Sequence, residues 1–359
     1  MARLKTRKGM PSTMLDKAEF ERRLRRRYYD PAFAPLADDI GNILAIAWEA
    51  YRDSRKAPLT RRAGAGFADP DYELSVEWLA AREAIRSAER QQKSARAKPR
   101  ILLINGSPRS NQTCPGEESK TWRLARIAER VFQRESDFEV ELLDLSRIVS
   151  ERSLHIHPCK ACVSTAMPLC HWPCSCYPNH AADQVNDWMN EIYPMWVAAH
   201  GVMIVTPVHW YQAPTVLKAM MDRLVCADGG NPDPTSTSGK DPDKAKAIER
   251  RGWDFPRHLA GRAFSLVVHG DSAGTETLRH SLSDWLGDMG LIGAGHQAEI
   301  DRYVGYYESY AENHVALDED RGFQEETRNA ARALIEAVKL MRRGKLAQPD
   351  RRLEEPRPK

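Results

Sequence analysis

The sequence lacks the features that define several large classes of protein. Its 359 residues contain no run of about 18 apolar side chains that could span a bilayer. No apolar segment follows the basic stretch Met1–Met10, so we expect no secretory signal. No Gly-x-Gly-x-x-Gly dinucleotide fingerprint and no recognised nucleic-acid-binding module occur. We therefore expect a cytoplasmic protein that binds neither a membrane nor nucleic acid.

Net charge is also small, at +3, but its distribution is uneven. Residues 1–99 hold 21 Lys and Arg against 14 Asp and Glu, and five arginines fall between Arg22 and Arg27. Such a cluster could bind an acidic surface. Because no nucleic-acid module accompanies it, we interpret it as the solvated face of a helix.

Residues 1–98 have a helical pattern and are predicted to form a separate N-terminal extension. Apolar side chains recur at helical spacing within residues 40–51 and again within residues 74–88. A loop rich in Gly, Ala and Arg is predicted over Ala57–Pro70, and a polar linker over Gln91–Arg100. The amphipathic helices need a covering surface from the rest of the chain or from a second subunit.

Over residues 99–345, short apolar runs alternate with amphipathic helices, and residues 346–359 form a polar tail. Strands are predicted at 101–104, 140–143, 202–205, 263–269 and, weakly, 296–300. Later helices are predicted at 181–199, 215–224, 278–286 and 323–341, with a long polar loop at 226–260. This alternation predicts an α/β domain with a five-stranded parallel flavodoxin-like sheet and helices on both faces. Ligands of such sheets bind at the carboxyl ends of the strands.

The loop after the first predicted strand has the residue types of a phosphate cradle. Gly106 allows a sharp turn, Arg109 supplies positive charge, and Ser107, Ser110 and Thr121 supply hydroxyl donors, with Ser119 as a rival to Ser110. A helix begins near residue 120, and its N-terminus offers free N–H groups and the positive end of a dipole. An ordinary strand-to-helix turn is the alternative interpretation.

The loop after the third predicted strand carries the strongest pattern. Pro207 and Val208 lead into His209, Trp210 and Tyr211, and a helix follows that ends in Asp-Arg. Proline restricts the backbone, and the three ring-bearing residues can form a wall for a flat ligand. Aromatic core residues after a buried strand are the alternative interpretation.

The loop after the fourth predicted strand contains His269, Gly270 and Asp271. We expect these residues to lie near the same ligand, although Asp271 could equally cap the next helix.

The first two loops resemble those of the NAD(P)H-dependent FMN reductases of the flavodoxin-like superfamily. The family patterns are Gly-Ser-x-Arg…Ser/Thr and Pro-Val-Tyr-Trp…Leu-Lys-x-x-x-Asp-Arg, and His209 stands here in place of the usual Tyr. The resemblance implies that the FMN 5′-phosphate is bound by Ser107, Arg109 and Thr121, with Ser119 as a further donor. It also implies that the flavin ring is lined by Pro207, Val208, His209, Trp210, Tyr211, His269, Gly270 and Asp271.

The same resemblance implies an enzyme that passes electrons from NAD(P)H through FMN to a small-molecule acceptor. A quinone, an azo or nitro compound, a metal oxyanion or free flavin are candidate acceptors, and no catalytic acid or base is required. A single phosphate cradle favours FMN over FAD. Family members commonly assemble around the flavin site, so we expect a homodimer or homotetramer.

Five cysteines fall between residues 159 and 176, and this density favours a metal or a redox dithiol in a reducing compartment. They are Cys159, Cys162, Cys170, Cys174 and Cys176. Three interpretations remain open: an iron–sulfur cluster, which some flavoproteins of this fold carry in this loop, a structural zinc, or no metal. We interpret Cys114 and Cys226 as uninvolved. The alternative function is an electron carrier or regulatory flavoprotein without turnover of its own, which an iron–sulfur cluster would favour.

Overall fold

The computed structural model describes residues 14–253 and 257–346. The basic stretch Met1–Met10 and all but the first residue of the predicted tail lie outside the described residues. The helices and strands, in chain order, are α1 (Lys17–Arg25), α2 (Ala37–Arg52), β1 (Thr60–Arg62), β2 (Glu73–Ser75), α3 (Val76–Lys93), β3 (Arg100–Asn105), α4 (Lys120–Phe132), β4 (Glu139–Asp144), α5 (Arg147–Ser150), α6 (Met189–Ala198), β5 (Gly201–Pro207), α7 (Thr215–Arg223), α8 (Pro242–Arg250), β6 (Ala263–Gly270), α9 (Thr275–Asp288), β7 (Ile292–Gly293), β8 (Glu299–Tyr303), α10 (Ala316–Glu319) and α11 (Arg321–Arg342).

A parallel sheet with the strand order β4-β3-β5-β6 organises most of these elements. At its far edge β7 pairs with the start of β6 and β8 with its end, so two short strands share the fifth position. The predicted flavodoxin-like α/β fold is confirmed, and so is the helical N-terminal extension. The strand order reverses between β3 and β5, which makes their carboxyl ends the expected ligand site.

The sheet is buried on both faces, as a parallel sheet requires. Successive residues of β3 and β5 are fully buried on alternating sides. On one face α4 and α11 pack against Ile101, Leu103, Met203 and Val205. The approach of α11 is close, because a Cβ atom at Gly201 would lie 2.8 Å from Val338 Cγ2.

Two predictions about helices were wrong. The helix predicted over 181–199 begins only at Met189, because Asp183 and Asn186 adopt left-handed backbone conformations that interrupt it. The loop predicted over 226–260 contains α8, whose first turn is capped by Asp241; the carboxylate of Asp241 accepts hydrogen bonds from the N–H groups of Asp243 and Lys244.

The N-terminal loop predicted over Ala57–Pro70 also contains regular structure. Its strand β1 pairs antiparallel with β2, and Leu74 therefore lies in a strand rather than at the start of a helix. The arginine cluster lies on and just after α1, where Glu19 binds Arg22 and Arg23. This pairing supports the interpretation of the cluster as a solvated helix face.

Contacts divide the chain into two compact units built from non-consecutive segments. The sheet unit comprises residues 81–159 and 188–230 and the described residues of 254–359, and it holds the parallel sheet. The cysteine unit comprises the described residues of 1–80 with residues 160–187 and 231–253. The linear division after residue 98 stays a prediction.

The histidine before β5 makes the stability of the sheet unit sensitive to acid. The backbone N–H of Arg100 donates to His200 Nδ1 over 3.1 Å. Burial, reinforced by the charge of Arg342, lowers the pKa of His200 to about 4. In the unfolded chain a histidine takes up a proton below about pH 6.5. Between these two values the unfolded state binds more protons, so stability that is complete above pH 6.5 is lost as the pH falls toward 4.

We therefore expect the free energy of unfolding to fall by up to ~1.4 kcal/mol per pH unit in this window because of His200. The variant His200→Gln keeps a hydrogen-bond acceptor but cannot titrate, so its stability should depend less steeply on pH. Urea unfolding at a series of pH values measures both slopes. Equal slopes in the two proteins would contradict the prediction.

Candidate functional site

Ten of the twelve predicted cofactor-binding residues line one cavity of about 120 Å³ at the carboxyl edge of the sheet. We call it the carboxyl-edge cavity. Most of its lining comes from the three loops singled out in the sequence. The lining residues are Ser107, Arg109, Ser119, Lys120, Thr121, Pro207, Val208, His209, His269, Gly270, Asp271 and His314. Only Trp210 and Tyr211 of the predicted set are not among the lining residues.

Close backbone packing shapes the loop after β3. The N–H of Gly106 donates to the carbonyl of Val205 over 2.8 Å, which extends the pairing of β3 with β5 by one residue. A Cβ atom at Gly106 would lie 2.9 Å from both Cβ and Oγ1 of Thr206. Glycine is therefore required for the chain to turn at this point toward α4.

The N-terminus of α4 faces this loop with its first turn open. Ser119 occupies the N-cap position, but its side chain makes no capping hydrogen bond. The first N–H groups of a helix have no partner within the helix, so such an end favours an anion. Ser107, Ser119 and Thr121 are all buried beside the cavity.

Two cationic side chains and one carboxylate line the cavity. Arg109 lies in the loop, and Lys120 begins α4, where its ammonium donates to the Val304 carbonyl over 3.1 Å. Lys120 Nζ also lies 3.7 Å from the Asp271 carboxylate. Burial lowers the pKa of Lys120, and the nearby Asp271 opposes that shift.

A neutral histidine lies behind the helix N-terminus. His269 Nε2 is 2.8 Å from Thr121 Oγ1. Complete burial, reinforced by the charges of Lys120 and His209, lowers the pKa of His269 to about 3. The imidazole therefore stays neutral at physiological pH. When its Nε2 carries the proton, it donates to Thr121 and leaves the threonine hydroxyl proton available for a ligand.

The loop after β5 is a tight turn with strained aromatic residues at its tip. His209 and Gln212 exchange two backbone hydrogen bonds of 2.9 Å around Trp210 and Tyr211. These two residues have φ angles of 49° and 65°, which are rare for bulky side chains. Trp210 is 93% exposed and Tyr211 is 59% exposed. Strain of this kind clusters at binding and catalytic sites.

Asp271 does not cap the helix that follows it, because the N-cap of α9 is Gly274. Its carboxylate accepts a hydrogen bond of 3.2 Å from Asn313 Nδ2 in addition to the ion pair with Lys120. The loop after β6 also packs on the aromatic turn: a Cβ atom at Gly274 would lie 2.9 Å from Tyr211 Cα.

Sequence reasoning missed three residues of this region: Lys120, Asn313 and His314. Lys120 stands in the sequence between two predicted ligands, Ser119 and Thr121, so a signal for its position was available. Asn313 and His314 lie in the irregular segment after β8, where no periodicity marks them. Asn313 Oδ1 and His314 Nδ1 are buried without a hydrogen-bond partner in the protein, as expected for polar atoms beside a ligand site.

These observations fit the phosphate end of FMN. The arrangement can bind an anion, because it combines an open helix N-terminus, three buried hydroxyl groups, and two cations that outnumber the one carboxylate. The cavity is smaller than the 300–1,000 Å³ of typical ligand pockets, so it matches a phosphate group rather than a whole flavin.

The predicted metal site finds no support. Among the described residues, no group of three or more His, Cys, Asp or Glu side chains is arranged to hold a metal ion. Cys159 belongs to the sheet unit, while Cys162, Cys170, Cys174 and Cys176 belong to the cysteine unit. Spacing along the chain suggested convergence, but the segment 160–187 folds with residues of 1–80 and 231–253 instead.

Two of these cysteines do approach each other. Cys162 Sγ lies 3.5 Å from Cys176 Sγ, and Lys240 Nζ lies 3.3 Å from Cys162 Sγ. The hydrogen bond from Cys176 and the charge of Lys240 outweigh burial and lower the pKa of Cys162 to about 6.

Within residues 14–253 and 257–346, no helix is long and apolar enough to cross a membrane.

The Asp-Arg pair at the end of α7 has a structural position. Arg223 is buried, and its Nη1 donates to the carbonyl of His157 over 2.9 Å.

Comparison with known proteins gives a family match and several more distant likenesses. A family model described as NADPH-dependent FMN reductase matches residues 99–303. The iron-sulfur flavoprotein of Methanosarcina thermophila is 26% identical over 196 residues, which are 55% of this chain and 77% of that protein. The family model spans more than half of this chain and includes the loops after β3, β5 and β6.

Among solved structures, RosB with a bound 8-demethyl-8-formylriboflavin-5′-phosphate intermediate aligns with a TM-score of 0.46 and 11% identity, over 69% of this chain and 82% of that chain. An FMN-dependent NADH-azoreductase from Bacillus anthracis, in complex with FMN, aligns with a TM-score of 0.41 and 16% identity, over 66% of this chain and 99% of that chain.

The close contact at Gly106 is open to a matched test. Gly106→Ala should destabilise the protein by about 1–3 kcal/mol, because the new methyl group meets buried Thr206 and the loop must shift. It should also weaken flavin binding. Gly116→Ala, in the same loop, adds a methyl group with nothing within 4 Å and should change neither property. Thermal unfolding and flavin titration measure both variants, and equal behaviour of the two would contradict the assignment.

Proposed function

The chain belongs to the NADPH-dependent FMN reductase family and is a flavin oxidoreductase, and from this premise we propose that it holds FMN at the carboxyl-edge cavity and passes electrons from NAD(P)H to a quinone-like or other small acceptor. The observation that carries the proposal is the convergence of three loops on one cavity beside an open helix N-terminus.

In this proposal the 5′-phosphate lies against the start of α4. Arg109 and Lys120 neutralise its charge, while Ser107, Ser119 and Thr121 donate hydroxyl protons. His269 acts as a positioning residue, because its contact with Thr121 fixes the direction of that hydroxyl. The neutrality of His269 supports this role, since a neutral ring keeps one proton and one acceptor.

The flavin ring lies, in this proposal, outside the small cavity and against the turn formed by His209, Trp210 and Tyr211. The exposure of the two aromatic rings and the strain of their backbone support the assignment. When bound, the flavin supplies the hydride chemistry, so the protein has to bind and orient it. Burial lowers the pKa of His209, and the nearby carboxylate of Asp271 opposes that shift.

We propose a small, flat acceptor because the aromatic turn is open to solvent and can admit one beside the ring.

We also propose a homodimer or homotetramer, since Ile43 and Ile46 on α2 remain exposed. Light scattering at micromolar concentration tests the assembly, and a monomeric mass would count against it. A cytoplasmic location stays a prediction.

The alternative is an electron carrier or a regulatory flavoprotein without turnover of its own, which an iron–sulfur relay would favour. No observation among the described residues favours it, because they contain no ligand group for a metal.

The cofactor and the activity are tested together on the purified protein. We expect the released flavin to have the mass of FMN. We also expect steady-state oxidation of NADPH or NADH by a quinone, with the parallel double-reciprocal lines of a two-step transfer. Release of FAD would sink the cofactor assignment, and absence of turnover with FMN bound would sink the proposed acceptor class.

The phosphate site makes a separate prediction. Arg109→Ala should weaken FMN binding by about 10- to 100-fold, the range expected for losing a hydrogen bond to a charged group. Ser107→Ala should weaken it less. The control is Arg130→Ala, which removes an exposed arginine in the last turn of α4, outside the cavity lining. Fluorescence titration of apoprotein with FMN measures all three, and unchanged affinity in Arg109→Ala and Ser107→Ala would show that the phosphate binds elsewhere.

A further inference from the structure

The cysteine unit contains a second cavity, of about 620 Å³, which shares no lining residue with the carboxyl-edge cavity. Its walls combine thiols, lysines and aromatic rings. The residues that matter here are Cys162, Cys176, Lys56, Lys160, Lys240 and Tyr177. We call it the thiol cavity.

The two thiols of this cavity are placed as a pair. Their sulfur atoms lie 3.5 Å apart, although the residues are 14 positions apart in sequence. A disulfide bond is about 2.05 Å long, so a modest movement of the two side chains could close one. Cys162 is half-buried and Cys176 is buried, so an incoming molecule meets Cys162 first.

A cation lies against the more exposed sulfur. Lys240 Nζ is 3.3 Å from Cys162 Sγ, and the same ammonium is held by the carbonyl of Leu169 over 2.6 Å. A neighbouring ammonium favours the thiolate, which is the nucleophilic form of cysteine.

The loop that carries the pair is held in place by several hydrogen bonds within the unit. The N–H of Trp172 donates to the Asn231 carbonyl over 3.0 Å, and Trp78 Nε1 donates to the Pro173 carbonyl over 2.9 Å. His171 Nε2 lies 3.0 Å from Thr237 Oγ1. The pairing of the thiols is therefore a property of a braced loop.

The charge of the cavity selects the ligand. Lys56, Lys160 and Lys240 line it, and Glu73 is the single carboxylate among the lining residues. Lys160 Nζ lies 5.3 Å from the centre of the Tyr177 ring, so a cation–π contact orients it. A molecule with carboxylate groups fits this balance, and a cationic one does not.

We propose that the thiol cavity is a thiol–disulfide exchange site for small anionic disulfides, with Cys162 as the attacking thiolate and Cys176 as the resolving thiol. The Cys162 thiolate attacks one sulfur of the disulfide RSSR, whose S–S bond breaks and releases RS⁻. Deprotonated Cys176 then attacks Cys162 Sγ in the mixed disulfide and releases the second RS⁻.

The two steps balance. The two protein thiols are oxidised to one Cys162–Cys176 disulfide, and RSSR is reduced to two molecules of RSH, which take the protons that the thiols lost. An excess of a small thiol drives the same steps in reverse and restores the dithiol. The site therefore needs no electrons from the flavin.

Oxidised glutathione, which is anionic, is the probe for the test. The reduced full-length protein is treated with it, alkylated, and mapped by mass spectrometry. We expect a Cys162–Cys176 disulfide with no glutathione retained on either cysteine. In Cys176→Ser, glutathione should remain bound at Cys162. Alkylation of both cysteines as free thiols in the treated wild-type protein would overturn the proposal.

Charge selection is tested without altering the thiols. The wild-type protein should react faster with oxidised glutathione than with cystamine, a cationic disulfide. Lys56→Gln should lower this ratio of rates about tenfold, as expected for one lost charged contact. The control is Lys246→Gln, on α8 but outside the cavity lining, and it should leave the ratio unchanged. Equal rates for the two probes in wild type would refute the assignment to anionic disulfides.

Discussion

The contact between Gly106 and Thr206 is the constraint on which the carboxyl-edge cavity depends. It joins the ends of the two strands between which the strand order reverses, at a distance that leaves no room for a side chain. Because Gly106 has no Cβ atom, the chain can turn there toward α4. The first turn of α4 is not capped by a side chain. A larger residue would displace the loop, and the donors on it would no longer surround one point.

The sheet was predictable because burial on both faces imposes continuous apolar runs, and β3, β5 and β6 show them clearly. The three loops could be predicted to lie at the same edge of the sheet, because parallel strands have their carboxyl ends on the same side. The segment from Asp183 to Asp187 was not predictable in the same way, because apolar spacing does not reveal a left-handed residue. For α8 a local signal existed: Asp241 followed by Pro242 is an N-cap pattern that loop polarity concealed.

The cysteine cluster shows a different limit. Five thiols in a short segment are compatible with a metal or with a redox pair, and spacing alone does not distinguish the two. The decisive information comes from the tertiary structure. The cation beside Cys162 is the ammonium group of Lys240, which is distant in sequence, whereas in a metal site the cation would be the metal ion. Asn231 and Thr237 come from the same distant segment and brace the loop.

In the proposed anion site, the neutral His269 leaves two cations rather than three. A protonated imidazole would add attraction for a phosphate, but complete burial opposes its charge, and Lys120 and His209 oppose it further. Positive charge is therefore left to Arg109 and Lys120, which also line the cavity. The buried ring instead holds the Thr121 hydroxyl by a hydrogen bond. Since a neutral ring cannot release this contact by titrating near neutral pH, the direction of that hydroxyl should be independent of pH across the physiological range.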